Sequence, residues 1–118
     1  MVAPQLPVVV PSEYYEVYAE GSIPEPELHP ANGYKRHPWV EKQNGNFNSE
    51  DQFKDAAERQ RAFSAYYGLV TWLDHNIGLI MDALDTSGQT ENTTVVYTSD
   101  HGDNVGERGL WGKSNLYQ

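Results

Sequence analysis

Thr93-Thr94-Val95-Val96-Tyr97-Thr98-Ser99-Asp100-His101-Gly102 is the stretch whose reading decides the fold. Its first six residues are β-branched or aromatic and do not alternate with charged ones, the pattern of a strand covered on both faces of a parallel sheet. In open α/β sheets the ligand site lies outside the carboxyl ends of the strands, and Ser99-Asp100-His101-Gly102-Asp103 occupies that place. Asp offers a hard carboxylate oxygen and neutral His an imidazole nitrogen, so two such neighbours on a tight turn can share one divalent cation. The plainer alternative is a strand-ending turn built by Asp100 and Gly102, with His101 a solvated neighbour.

Downstream, Gly106-Glu107-Arg108-Gly109-Leu110-Trp111-Gly112-Lys113 is a glycine-spaced loop. Its lysine can fold back toward the cation and hold an anionic oxygen as a point charge, or else stand as an exposed loop lysine. Asp103 and Glu107 read as turn chemistry or as partners of Arg108. Trp111 either covers the site or packs the loop.

Upstream, Ser49-Glu50-Asp51-Gln52 fits a capping box and predicts a helix start. Apolar residues then recur at gaps mostly of three and four through Phe53, Phe63, Tyr66, Tyr67, Val70, Leu73, Ile77, Ile80 and Leu84, which predicts one continuous helix over 49–88 with its core on that face. Gly88 can take the left-handed conformation that stops it. Asp74-His75 falls within this helix, where adjacent side chains diverge by about 100°, so the pair reads as structural.

Residues 1–48 hold all seven prolines and read as extended loop, with one helical turn at Ser12–Tyr18 that puts Tyr14, Tyr15 and Tyr18 together. His29 and His37 in this segment could reach a substrate's organic portion, but read first as solvated loop residues. Val8-Val9-Val10 lies between Pro7 and Pro11, which cannot donate to a ladder, so it reads as edge or loop.

Two features predict that the chain is a segment of a larger α/β enzyme, poorly stable alone. A helix from Asp51 to Leu84 would run about 50 Å, against about 35 Å for a compact globule of this size, unless Gly68 or Gly78 breaks it. More tellingly, the strand at 93–99 reads as central, yet no other run supplies its neighbours.

The chain has 118 residues, and 17 Asp plus Glu against 8 Lys plus Arg give a formal charge of −9. That balance argues against nucleic acid or anionic lipid as partner, since both demand clustered cations. No apolar stretch approaches the roughly 20 residues that span a bilayer, and no leader pattern is visible. With no cysteine there is no disulfide and no thiol nucleophile.

The run from Thr98 through Ser99-Asp100-His101-Gly102 to Lys113 resembles the sulfatase signature of the alkaline phosphatase superfamily. Tyr66-Tyr67-Gly68-Leu69-Val70, Leu73-Asp74, Ile77-Gly78, Leu84, Gly88 and Asn92-Thr93 are similar to the helix and turn that precede the strand in sulfatases and phosphonate monoester hydrolases, and Pro7-Val8-Val9-Val10-Pro11 with Glu13-Tyr14-Tyr15 and Tyr18 is similar to the family's segment leading into its Tyr-rich turn. The resemblance implies an α/β, alkaline-phosphatase-like sandwich with a mostly parallel central sheet, of which this chain holds one central strand. On this likeness residues 1–118 form part of a sulfatase domain, with residues 100–118 as its metal and substrate loop.

It further implies that Asp100 and His101 ligate a divalent cation, Ca²⁺ first, with Mg²⁺ or Mn²⁺ as alternatives. Lys113 would be the catalytic and substrate-binding lysine, acting on a small-molecule or glycan sulfate ester. The family's nucleophile is a formylglycine made from a Cys/Ser-x-Pro-x-Arg motif, whose hydrated aldehyde attacks sulfur. This sequence has no such motif, so the nucleophile is expected before Met1 and the 118 residues are expected to be inactive alone. Gln5 stands in Ala3-Pro4-Gln5-Leu6-Pro7 where the family often has a substrate-contacting His, and glutamine donates a hydrogen bond without shuttling a proton. The competing readings are a phosphonate or phosphate ester hydrolase of the same superfamily, and a non-catalytic acidic module binding Ca²⁺ through Asp100, Asp103, Asn104 and Glu107, whose spacing departs from an EF-hand.

Overall fold

A computed structural model describes residues 3–5, 7–18, 22–44 and 50–113. Three α-helices are present among them: α1 (Ser12–Tyr15), α2 (Pro38–Asn44) and α3 (Ala56–Thr86), joined by 3-10 turns at Pro30–Asn32, Glu50–Gln52, Thr90–Asn92 and Glu107–Gly109.

The long helix forms as expected but starts later. Glu50–Gln52 make a separate 3-10 turn, and Ser49 lies outside the described residues. The cap that operates is Asp55, whose carboxylate accepts from Glu58 N at 2.8 Å, while Lys54 N donates to Glu58 Oε2 at 2.7 Å. Asp55-Ala56-Ala57-Glu58 carries the same Asp/Ser-x-x-Glu/Gln pattern as the upstream candidate, with better helix formers behind it. At the other end Ser87 N donates to Ala83 O, and Gly88 (φ 68°) turns the chain out of the helix as predicted.

Neither Gly68 nor Gly78 breaks α3, which runs 31 residues without interruption. The overhang is accordingly real: the longest dimension is 54 Å and the radius of gyration 17.2 Å, against about 13.5 Å for a compact chain of this length.

The proline-rich segment is more ordered than predicted. Pro38 sits at the first position of α2, where its missing N–H costs nothing, and His37 Nδ1 accepts from Trp39 N at 3.2 Å. His29 is not solvated. It is buried at 3% exposure, and its Nδ1 accepts from Ala31 N, capping the turn at Pro30–Asn32. The predicted turn at 12–18 is helical only over Ser12–Tyr15. Tyr14 O lies 2.8 Å from where a Cβ on Gly68 would be, so α1 lies directly on α3 at that glycine.

The core sits at the amino-terminal half of α3. Ile23, Phe63 and Trp111 form its buried centre, with Tyr18, Phe53, Ala62 and Val105 against them. Trp111 packs on Phe63 at 5.0 Å and meets Phe53 edge-on at 5.1 Å, so it packs the loop. Of the helix face predicted as core, Phe63 is buried, whereas Tyr67 and Val70 stay exposed. Leu69, off that face, is buried instead.

The predicted buried strand and the sheet around it are not formed among the described residues, which contain no β-strand. Thr93 is extended (φ −123°, ψ 126°), but Val95, Val96 and Tyr97 are 56%, 79% and 80% exposed. A ladder needs a neighbour for its backbone donors and acceptors, and none lies alongside among the described residues.

An ion pair and a hydrogen bond tie the loop segment to α3. Glu25 receives Arg59 Nη2 at 3.0 Å and Gln60 Nε2 at 3.0 Å. Burial alone would raise its carboxyl pKa; these hydrogen bonds, joined by the charges of Arg59 and His29, outweigh it and hold the pKa below the usual value.

Candidate active site

The turn after Ser99 is held by its own side chains. Ser99 Oγ donates to His101 O at 2.5 Å, and Asp100 Oδ1 accepts from His101 N at 3.1 Å. His101 Nδ1 lies 2.9 Å from Gly102 O. A carbonyl only accepts, so Nδ1 carries a proton.

Residues 103–112 then fold back on themselves. Asp103 Oδ1 accepts from Val105 N and Gly112 N, both at 3.0 Å, and Gly112 O accepts from Asn104 N at 3.0 Å and Asn104 Nδ2 at 2.5 Å. Gly106 (φ 82°) turns where a Cβ would strike the Phe63 ring at 2.8 Å, so only glycine serves. Arg36 grips the loop from outside, its Nε donating to Arg108 O at 2.6 Å and Nη2 to Gly109 O at 3.2 Å. Arg108 N donates in turn to Leu28 O at 2.6 Å.

Closing this loop sets Lys113 beside the turn. Its Nζ lies 2.9 Å from His101 Nε2. Asp100 Oδ2 is 3.7 Å from the same nitrogen, with the Asp100 side chain 89% exposed and that of His101 27%.

A cleft of about 430 Å³ opens beside these residues, lined by Gln5, Tyr66, Tyr97, Ser99, Asp100 and His101 among others. Gln5, distant in sequence, thus shares a wall with the Asp-His pair. Burial, with the charge of Asp103 and the neighbouring Tyr67, raises the Tyr66 hydroxyl to about 12. It therefore remains a neutral hydrogen-bond donor across the working pH range.

A divalent cation fits the donor pair in chemistry and in bite: oxygen and neutral nitrogen 3.7 Å apart can both lie about 2.1–2.4 Å from one ion. Two ligands do not complete a site. Among the described residues no three His, Cys, Asp or Glu side chains converge on one point. The other singled-out residues lie elsewhere: His75 meets Tyr14 edge-on at 6.0 Å, and His37 caps α2. Arg36 and Tyr66 were not legible as parts of this region, because Arg36 sits among prolines with no local signal and Tyr66 reads as core.

The sulfatase family profile matches residues 9–118, and the chain belongs to that family. Membership implies an α/β, alkaline-phosphatase-like fold class, of which the described residues form helices and no strand. Similar proteins include an arylsulfatase from Clostridium perfringens (strain 13 / Type A), 30% identical over 117 residues, covering 99% of this chain and 24% of that protein. A choline-sulfatase from Rhizobium meliloti (strain 1021) is 37% identical over 59 residues, covering 50% of this chain and 12% of that protein. The multifunctional alkaline phosphatase superfamily protein PehA from Trinickia caryophylli is 37% identical over 59 residues, again covering 50% and 12%. The chain therefore spans a quarter or less of the length of these relatives. No solved structure matches. No described helix is long and apolar enough to cross a membrane.

Proposed function

We propose that the chain is the carboxylate-imidazole-lysine portion of a metal-dependent sulfuric ester hydrolase. Asp100 and His101 would hold one divalent cation, Ca²⁺ in preference to Mg²⁺ or Mn²⁺, and Lys113 would contact the sulfate oxygens. The nucleophile, a formylglycine, and the remaining ligands would come from outside these 118 residues, so the chain alone turns over no ester. The observation that supports this reading is the Lys113 amine 2.9 Å from His101 Nε2, at the end of a family signature.

When bound, the cation supplies Lewis-acid stabilisation of charge on the ester oxygens. The chain's own residues do the rest. Asp100 and His101 hold the cation, with Gly102 O fixing the imidazole tautomer so that Nε2 faces outward. The loop held by Asp103 and Arg36 presents Lys113 as a second positive centre, aimed where negative charge grows. Gln5 and Tyr66 offer neutral donors along the cleft to the ester's organic part, and neither shuttles a proton at neutral pH.

The test is hydrolysis of an aryl sulfate by the intact protein. Lys113→Ala lowers kcat/KM by about 10²-fold, the usual loss for one oxyanion donor, and Asp100→Asn abolishes cation-dependent turnover. Unchanged kinetics in Lys113→Ala would remove the lysine from the site. Similarity to PehA, described as a multifunctional alkaline phosphatase superfamily protein, favours a second reading as a phosphonate or phosphate ester hydrolase. A higher kcat/KM on aryl phosphonate than on aryl sulfate would select it.

A further inference from the structure

We infer that the Lys113 ammonium and the divalent cation are alternative occupants of one lone pair, that of His101 Nε2, so that cation binding itself releases the lysine toward the ester's oxyanion. The inference rests on the reading of Asp100 and His101 as cation ligands.

The argument is one of valence. His101 Nδ1 is committed as a donor to Gly102 O at 2.9 Å, and Nε2 faces an ammonium that can only donate, so Nε2 accepts through its single in-plane lone pair. Lys113 Nζ stands 2.9 Å from that nitrogen and has only donors to offer, so it is an N–H···N bond to this lone pair. A cation ligated by imidazole lies about 2.0–2.4 Å from the nitrogen along the same direction. Ammonium and cation would then be about 1 Å apart, too close for both, and their like charges add to the exclusion.

Displacement is feasible because of how the lysine is mounted. Lys113 is exposed, whereas Gly112 behind it is buried and bonded through both N and O to Asp103 and Asn104. The backbone anchor therefore stays while the four-carbon stem swings. An ammonium leaving Nε2 remains within reach of an anion resting on the cation. Loading and lysine delivery become a single exchange: an unloaded site keeps its lysine on the imidazole, and a loaded one presents it to substrate.

The experiment uses the intact protein and two readouts that do not depend on turnover. Two-bond ¹H–¹⁵N spectra report the His101 tautomer and the state of Nε2; Nδ1–H with a hydrogen-bonded Nε2 is expected, and Lys113→Met shifts the Nε2 resonance. Titration calorimetry with Ca²⁺ and Mn²⁺ is then compared between the parent protein and Lys113→Met. Removing the competitor tightens binding by about two- to tenfold, the range for one hydrogen bond lost. The gain persists from about 0.1 M to about 1 M salt, where the screening length falls from about 10 Å to about 3 Å.

A gain that vanishes at high salt would mean that the lysine acts only as a like charge, and unchanged or weaker binding would mean that it does not compete; either overturns the exchange while leaving the cation site standing. If Asp100→Asn and His101→Ala leave cation affinity unaltered, the underlying reading of the site fails and the exchange falls with it. Because Lys113 is exposed, Lys113→Met retains the fold, and Lys113→Gln serves as a second uncharged variant with the same expected gain.

Discussion

Asp103 does more for the site than either residue of the Asp-His pair does for the loop. Its Oδ1 holds Val105 N and Gly112 N together, and through Gly112 it fixes where Lys113 begins. Asp103→Ala leaves two partly buried amides without an acceptor and is expected to cost about 1–3 kcal/mol, read as a lower urea midpoint, together with loss of the Lys113 effect on the His101 Nε2 resonance. Glu25 adds a pH dependence. Its folded pKa lies below the unfolded one, so its contribution is present above about pH 4.3 and is lost as pH falls through the folded value. Glu25→Gln should flatten the acid limb of a stability-against-pH curve, and an unchanged limb would disconnect Glu25 from it. Asp100, His101 and Lys113 could be singled out from the sequence because fourteen consecutive residues carry them all. Glu25 and Arg36 could not, since their partners lie on segments distant in sequence.

Among the elements, α3 was recognisable because 31 residues carry a helical period and a glycine stop, while its start was misplaced because two capping patterns lie six residues apart. Asp55→Ala should lower stability by about 1 kcal/mol, whereas Gln52→Ala should leave it nearly unchanged; equal effects would restore the upstream cap. Gly68 carries the contact with α1. A methyl there meets Tyr14 O at 2.8 Å, so the overpacking cost of about 1–3 kcal/mol exceeds the gain of about 1 kcal/mol in helix propensity. Gly68→Ala is therefore expected to destabilise on chemical denaturation, and Gly78→Ala, with open space around it, to stabilise. α2 escaped sequence reading for a different reason: proline was weighed as a breaker, and at a first helical position it is an initiator.

At the scale of the whole molecule, the apolar surface is unfinished. Val95, Val96 and Tyr97 are exposed along an extended segment, and Leu79, Ile80 and Met81 line the overhanging half of α3. The periodicity of the sequence marks which residues want burial, and burial on the strand requires ladder partners that the described residues do not provide. The chain belongs to the sulfatase family and spans 24% of the length of the arylsulfatase relative. The 118 residues alone are expected to bind a hydrophobic dye and to release no alcohol from an aryl sulfate; multiple turnovers would contradict the placing of the nucleophile outside them. The central claim is that His101 offers Nε2 to a cation beside Asp100. Electron spin-echo spectroscopy of the intact protein loaded with Mn²⁺ reads it most directly. Modulation from a coordinated imidazole nitrogen that disappears in His101→Ala is the predicted result, and a spectrum without nitrogen coupling, or one that His101→Ala leaves unchanged, would contradict it.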